Sequence, residues 1–169
     1  LRMYRDANRV VTVTKSFKAD LVRRGIDPEK IDVVLNGVDA DRYRPQQKDQ
    51  ALVDAHDLEG RLVAGYLGTI GMAHALDKVI EAAQLLQDRQ DIVFLIAGAG
   101  AKRAEIEAQV ATLGLRNVRL LDPQPKAAMP ALWSVHDVAL IPLRNQDLFR
   151  TVIPSKMFEA MGMGIPILM

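Results

Sequence analysis

Short runs of branched apolar residues recur along the chain and alternate with longer stretches of mixed polarity. Beyond position 60 the runs are RLVAGYL (61–67), IVFLIA (92–97), VRLL (118–121), VALIPL (138–143) and IPILM (165–169). Because few polar positions interrupt them, they predict strands buried on both faces. The intervening stretches predict helices near 74–88, 102–114, 126–135 and 155–162. This alternation predicts an open α/β fold with a parallel sheet and helices on both faces.

The first 50 residues follow a separate pattern. They predict a strand at 9–14, a helix through SFKADLVRRG (16–25) and a second strand at 31–35. The segment NGVDADRYRPQQKDQ (36–50) is polar and contains a glycine and a proline, a composition typical of a linker. A domain boundary is therefore predicted there.

Composition excludes several classes of function. The chain has 22 basic and 21 acidic residues, well mixed, so no electrostatic footprint for nucleic acid is present. Without cysteine there is no disulfide and no thiolate metal site, which suits the cytoplasm. No apolar run reaches the roughly 20 residues that a membrane-spanning helix needs. We therefore expect no nucleic-acid partner and a cytoplasmic location.

The segment IPSKMFEAMGMGIPILM at the end of the sequence carries the most specific candidate chemistry. Ser155 suits a helix N-cap, but a capping box would place its glutamate at position 158, which is Phe158. Glu159 instead lies one turn above Ser155 on the same face, where its carboxylate could accept two ribose hydroxyls. Lys156 adds a cation beside amides that favour an anion. A solvated glutamate on an amphipathic helix is the alternative.

Two glycine-rich loops follow predicted strands. In GTIGMAH (68–74), Gly68 and Gly71 would let the backbone approach a phosphate, although a tight turn explains them equally well. AGAGAKR (97–103) resembles a dinucleotide fingerprint, but Arg103 occupies the position of the third glycine. A glycine-rich turn is therefore the favoured interpretation of the second loop.

Several motifs occur in a fixed order: NGVDADRY, YLGTIG, IAGAG, LGLRNVRLL, ALWSVHDVALIPL and PSKMFEAMGMGIPIL. Together they resemble the retaining GT-B glycosyltransferases of group 1, also described as family 4-like. The branch with a PSK helix, found in bacterial surface-polysaccharide enzymes, is the most similar. The resemblance implies two Rossmann-like domains that face each other across a cleft.

The resemblance also implies a domain assignment. Residues 1–36 would be a remnant of the N-terminal acceptor domain, residues 37–50 the linker, and residues 51–169 the donor-binding domain. The chain would then be the C-terminal half of a GT-B protein, cut at both ends.

Roles for individual residues follow from the same resemblance. Glu159 would hold the ribose, and with Lys156 it is a candidate catalytic residue. The family's first glutamate, a sugar contact, is replaced here by Thr151.

The family's loop cations are replaced as well. Thr69 and His74 stand where many relatives have an arginine and a lysine in the first loop. Lys156, helped by Arg144 or Arg150, would then hold the diphosphate.

The implied activity is transfer of a sugar, with retention, from a UDP- or GDP-sugar to a glycan or lipid-linked acceptor in bacterial polysaccharide synthesis. The acceptor would bind through the missing N-terminal domain, and the whole protein would work in the cytoplasm, compatible with peripheral association with the inner face of the membrane. No cofactor or metal is expected, because Gly71, Ser155 and Lys156 would stabilise the leaving diphosphate. A sugar-nucleotide epimerase and a non-catalytic nucleotide-binding module are the alternatives.

Other residues imitate functional motifs. The acidic triplet at Asp39–Asp41 resembles a metal motif but predicts a solvated turn. His56, His74 and His136 are too scattered for a zinc site. Trp133 is expected to pack in the core rather than stack on a base.

We predict that residues 1–169 alone bind a nucleotide but do not transfer sugar, because most of the acceptor domain would be missing. Calorimetric titration with UDP and GDP, beside a transfer assay with radiolabelled donor, tests both parts. Measurable turnover by this segment would contradict the prediction.

Overall fold

The structure is a computed structural model that describes residues 1–147 and 149–169, and of Arg150 the backbone alone. The side chain of the predicted phosphate ligand Arg150 therefore lies outside the described residues. The chain divides into two compact units. The smaller comprises Leu1–Gly37 and Asn145–Ser155, and the larger comprises Val38–Arg144 and Lys156–Met169.

The smaller unit contains a parallel pair of strands. Its elements are α1 (Arg2–Asp6), β1 (Val10–Thr12), α2 (Lys15–Arg23), β2 (Ile31–Val33) and two short 3-10 helices, Pro28–Lys30 and Phe149–Thr151. β1 and β2 pair with Val10 opposite Ile31, and both residues are buried. Helix α2 begins after Thr14, whose hydroxyl accepts a hydrogen bond from the Phe17 amide at 3.1 Å. Both predicted strands are present, but each is shorter than predicted.

The larger unit contains the main sheet. Its elements are α3 (Gln50–His56), β3 (Leu62–Leu67), α4 (Leu76–Leu85), β4 (Ile92–Ala97), α5 (Arg103–Leu113), β5 (Val118–Leu121), a 3-10 turn (Lys126–Ala128), α6 (Met129–Ser134), β6 (Val138–Leu140), α7 (Ser155–Gly162) and β7 (Ile167–Leu168). Helix α7 begins at Ser155, the last residue of the smaller unit. Within the described residues, five strands form one sheet in the order β5-β4-β3-β6-β7, and all neighbours are parallel. The predicted open α/β fold is confirmed.

Alternate residues of β3 contribute to two separate cores. Val63 and Leu67 belong to a cluster that includes Leu132 of α6, whereas Tyr66 belongs to a cluster that includes Ile80 of α4. Helices therefore cover both faces of the sheet. This double burial explains why the strands read as continuous apolar runs.

Prolines explain three of the differences between predicted and observed boundaries. The strand predicted at 138–143 ends at Leu140, because Pro142 has no amide to donate. The strand predicted at 165–169 begins after Pro166 for the same reason. The helix predicted at 126–135 is divided into a 3-10 turn and α6, with Pro130 in the first turn of α6. Helices α1 and α3 were not predicted.

The polar segment before α3 packs against the larger unit. Tyr43 is buried, the Gln46 amide donates to the Pro130 carbonyl at 2.8 Å, and Lys48 pairs with Asp137 at 2.8 Å. Composition predicted a linker here, and the contacts show that residues 38–49 are fixed on the larger unit. The predicted domain boundaries themselves stay a prediction.

The loops after β3 and β4 lie backbone against backbone. The Ile70 amide donates to the Ala99 carbonyl at 2.8 Å, which continues the ladder of the two strands beyond their ends. A Cβ at Gly98 would lie 1.8 Å from the Gly68 carbonyl oxygen, and one at Gly100 would lie 2.3 Å from that of Ile70. Gly98 and Gly100 are therefore needed because the backbones of the two loops lie in contact. This agrees with the interpretation of the second loop as a glycine-rich turn rather than a dinucleotide fingerprint.

No helix in the described part of the chain is long and apolar enough to cross a bilayer.

We predict that Gly98→Ala destabilises the fold by at least about 3 kcal/mol, because the methyl group must push the two loops apart and the backbone has φ +149°. The control is Gly114→Ala, where φ is +62° but open space surrounds the new Cβ. Its free energy of unfolding should fall by only about 1 kcal/mol. Urea unfolding of both variants measures the difference. Equal losses would show that the loops do not constrain each other.

Candidate functional site

The candidate site lies at the carboxyl ends of β3 and β4, in the loop of residues 68–75 that leads into α4. Ligands of open parallel sheets bind at this edge, because loops and helix N-termini meet there. Tyr66, near the end of β3, is fully buried, and its hydroxyl donates to the Thr69 carbonyl. Burial raises the pKa of Tyr66, so the hydroxyl stays protonated and keeps donating. This bond anchors the loop to the sheet.

The ammonium group of Lys156 lies beneath this loop. Its Nζ is 3.7 Å from the centroid of the Tyr66 ring and would be 3.1 Å from a Cβ built on Gly68. Among the described residues, no hydrogen-bond partner satisfies this buried nitrogen. Burial lowers the pKa of Lys156 to about 8, although the negative charge of Glu159 opposes the shift. The result is an unpaired cation next to a glycine loop, an arrangement suited to an anion.

His74 also contacts Tyr66. Its ring meets the Tyr66 ring edge to face at a centroid distance of 5.6 Å. Burial, and then the charge of Lys156, lower the pKa of His74 to about 4. The imidazole is therefore neutral at pH 7 and can offer a ligand a hydrogen bond but no charge.

Glu159, the predicted ribose ligand, is held by a side chain from α6. Its Oε2 accepts a hydrogen bond from Trp133 Nε1 at 2.9 Å. Trp133 is fully buried, which confirms the prediction that it packs in the core. The sequence pattern gave no sign that the two side chains meet, because they are 26 positions apart.

Arg144 fastens the same loop. Its Nε donates to the Met72 carbonyl at 3.0 Å, and its Nη2 pairs with Asp77 at 2.9 Å. The ion pair offsets the charge of Arg144, whereas Lys156 has no hydrogen-bond partner among the described residues. A direct contact of Arg144 with the diphosphate stays a prediction.

The remaining predicted residues occupy different places. Thr69 is exposed, and the Gly71 carbonyl accepts a hydrogen bond from the His74 amide at 3.2 Å. Thr151 ends the 3-10 helix of the smaller unit, and Ser155 is the exposed first residue of α7. The roles predicted for Thr151 and Ser155 stay predictions.

A cavity of about 260 Å³ opens beside the glycine loops. It is lined by Gly68, Thr69, Ala97, Gly98, Ala99, Pro123, Gln124 and Met129. Sequence reasoning missed Pro123, Gln124 and Met129, which follow β5. Their signal was present, because a loop after any strand of a parallel sheet reaches the same edge as the other carboxyl ends.

A larger groove of about 470 Å³ lies near the amino ends of β4 and β5 and contains several arginines. Arg61 pairs with Asp57 and Arg89 pairs with Asp91, so much of its positive charge is compensated. It lies at the opposite edge of the sheet from Lys156 and carries no part of the candidate site.

The acidic triplet forms a turn, as predicted. Asp39 Oδ1 accepts hydrogen bonds from the amides of Asp41 and Arg42. Within the described ranges, no three His, Asp or Glu side chains come together as a metal site would require. Independence from metal stays a prediction.

An open parallel sheet with a glycine loop and an unpaired lysine at its carboxyl edge defines a domain suited to binding a phosphorylated ligand. Residues 61–169, more than half of the chain, match the family model of group 1 glycosyl transferases, and residues 1–42 match that of glycosyltransferase family 4. The chain belongs to the group 1 glycosyltransferase family.

Two curated relatives show the breadth of this family. The chain is 29% identical, over 94% of its length, to a putative colanic acid biosynthesis glycosyl transferase of Escherichia coli, of which it covers 39%. It is 30% identical, over 96% of its length, to a D-inositol 3-phosphate glycosyltransferase of Salinispora tropica, of which it covers 36%. The chain therefore spans less than half the length of these relatives.

A solved structure has the same fold. The crystal structure of Anabaena Alr3699/HepE in complex with UDP-glucose matches with a TM-score of 0.82 and 19% identity, over 98% of this chain and 46% of that one. At this identity the likeness supports the GT-B fold.

We predict that Lys156→Met stabilises the fold by about 2 kcal/mol at pH 7, because burial penalises the ammonium by more than its contact with Tyr66 returns. A lysine whose folded pKa is about 8 binds fewer protons than the unfolded chain between pH 8 and 10.5. The free energy of unfolding of the wild-type protein should therefore rise across that interval. The difference in stability between Lys156→Met and wild type should shrink accordingly. Urea unfolding at pH 7 and pH 10 tests this. A variant less stable than wild type at pH 7 would contradict it.

Proposed function

We propose that the protein is a glycosyltransferase that moves a sugar, with retention, from a UDP- or GDP-sugar to a glycan or lipid-linked acceptor in bacterial polysaccharide synthesis. The larger unit would bind the donor. The observation that carries this proposal is the unpaired ammonium of Lys156 beside Gly68, at the ligand-binding edge of the sheet.

The diphosphate would bind between the glycine loop and Lys156. Helix α4 begins after Ala75, which offers no side-chain cap, so the Leu76 and Asp77 amides would bind phosphate oxygens, whereas the Lys78 amide donates to the Ala75 carbonyl. Neutral His74 would add a hydrogen bond, and Arg144 would hold the loop in place. One charge-assisted bond from Lys156 would contribute roughly 1.5 to 3 kcal/mol.

The nucleoside would lie towards Glu159, whose carboxylate would accept the ribose hydroxyls. UDP is the first choice of nucleotide, since the Anabaena protein of the same fold was crystallised with UDP-glucose. The putative colanic acid biosynthesis glycosyl transferase and the D-inositol 3-phosphate glycosyltransferase support glycosyl transfer but leave the acceptor of this protein to experiment.

In the transfer step the bond between the anomeric carbon and the β-phosphate oxygen would break, the acceptor hydroxyl oxygen would bond to that carbon, and the hydroxyl proton would pass to the leaving diphosphate. Negative charge then grows on the leaving diphosphate. Lys156 and the amides of the glycine loop would stabilise this charge, and we expect no metal ion to be needed. The sugar contact predicted for Thr151 stays part of this proposal. The acceptor, the cytoplasmic location and peripheral association with the membrane belong to this proposal for the whole protein.

Replacement of Lys156 by glutamine tests the proposed diphosphate site. Affinity for UDP should fall about 10-fold to 100-fold, whereas affinity for uridine should stay unchanged, because only the diphosphate meets the ammonium. Arg89→Gln is the control, since Arg89 is an exposed cation paired with Asp91 at the opposite edge of the sheet. Isothermal titration with UDP, GDP, uridine and NAD gives all four affinities. An equal loss for uridine, or binding of NAD alone, would overturn the proposal.

Replacement of Glu159 by glutamine tests the proposed ribose contact. Loss of the charged acceptor should weaken UDP binding about 10-fold. Glu81→Gln, an exposed change on α4, should leave the affinity unaltered. Unchanged affinity of the Glu159 variant would show that the ribose binds elsewhere.

A further inference from the structure

We propose that Trp133 is a positioning residue that fixes the carboxylate of Glu159 for recognition of the ribose hydroxyls. This inference rests on the proposed function. It assigns a role to a residue in the core that touches no ligand itself.

The hydrogen bond between the two side chains has a defined direction. The indole N–H can only donate and the carboxylate can only accept, so Trp133 Nε1 fixes Oε2 of Glu159 at 2.9 Å. Glu159 has three side-chain torsions and would otherwise sample several rotamers. A fully buried donor restricts it without competition from water.

Packing beneath Trp133 fixes the indole in turn. His136 meets it edge to face at a centroid distance of 5.4 Å. Burial lowers the pKa of His136 to about 4, so the imidazole packs there without charge. His136 fits because Gly65 of β3 has no side chain: a Cβ there would lie 1.4 Å from its Cδ2. The central strand therefore sets the position of Trp133.

The helix that carries Glu159 is also fixed from the other side. A Cβ at Gly162 would lie 2.8 Å from the Tyr43 carbonyl oxygen, so α7 and the segment 38–49 are in close contact. Burial, and then the negative charge of the neighbouring Glu159 carboxylate, raise the pKa of Tyr43. Glu159 is thus held between α6 and residues 38–49.

This arrangement has a consequence for selectivity. Because Oε2 is bound by Trp133, the carboxylate presents its remaining lone pairs in one orientation. The two adjacent hydroxyls of a ribose can donate hydrogen bonds to such an acceptor, whereas a 2′,3′-dideoxyribose has no hydroxyl at either position. The preference for ribose should therefore depend on Trp133.

The test compares UDP with 2′,3′-dideoxy-UDP in wild type and in Trp133→Phe. Wild type should bind UDP about 10-fold tighter than dideoxy-UDP. In Trp133→Phe the two affinities should become nearly equal, because UDP binding weakens. The affinity of the variant for dideoxy-UDP should stay within about 2-fold of the wild-type value. Phe94→Leu is the control, because it removes part of a buried ring from the opposite core. Its ratio should equal that of wild type.

A second measurement needs no variant. Trp133 is the single tryptophan of the sequence, so its fluorescence reports on the bond to Glu159. UDP should shift its emission, and dideoxy-UDP at saturation should shift it less. Equal shifts would contradict the inference, even if Trp133→Phe does not fold.

The outcomes separate the inference from the proposed function. If wild type binds neither UDP nor GDP, both fail. If wild type binds UDP and prefers it to the dideoxy compound, but the Trp133 variant keeps the same ratio, only the positioning role of Trp133 fails.

Discussion

The contact between the backbones of the two glycine loops determines the geometry of the site. Gly98 and Gly100 have no side chains to separate the loops, so the hydrogen bonds of β3 and β4 continue past the ends of both strands. The loop after β3 is therefore held against the sheet rather than free to move. Because Gly68 faces Lys156 from this loop, the same contact sets how close the loop lies to the ammonium.

Lys156 shows a conflict between stability and function. An ammonium group without a hydrogen-bond partner, close to an aromatic ring, costs free energy in the folded state. A fold optimised for stability alone would place an apolar residue there. The retained charge is explained if a ligand supplies the missing partner, since the destabilised group then binds an anion more strongly.

Glu159 is arranged differently. It lies between a buried indole donor and the segment around Tyr43, and these contacts limit its rotamers before any ligand arrives. The lysine thus provides unsatisfied charge, whereas the glutamate provides a fixed orientation. Preorganisation of this kind reduces the entropy lost on binding.

The sequence by itself determined the fold class, the strands at 92–97 and 118–121, and helix 155–162, because these depend on local periodicity and on burial of both sheet faces. It also identified Glu159 and Lys156 as candidates through their spacing on one helix. Only the tertiary structure decided their partners. Tyr66 meets Lys156, and Trp133 meets Glu159, because the strand order brings distant segments together, and no local pattern encodes that order. The same reason explains why residues 38–49, polar in composition, pack as part of the larger unit.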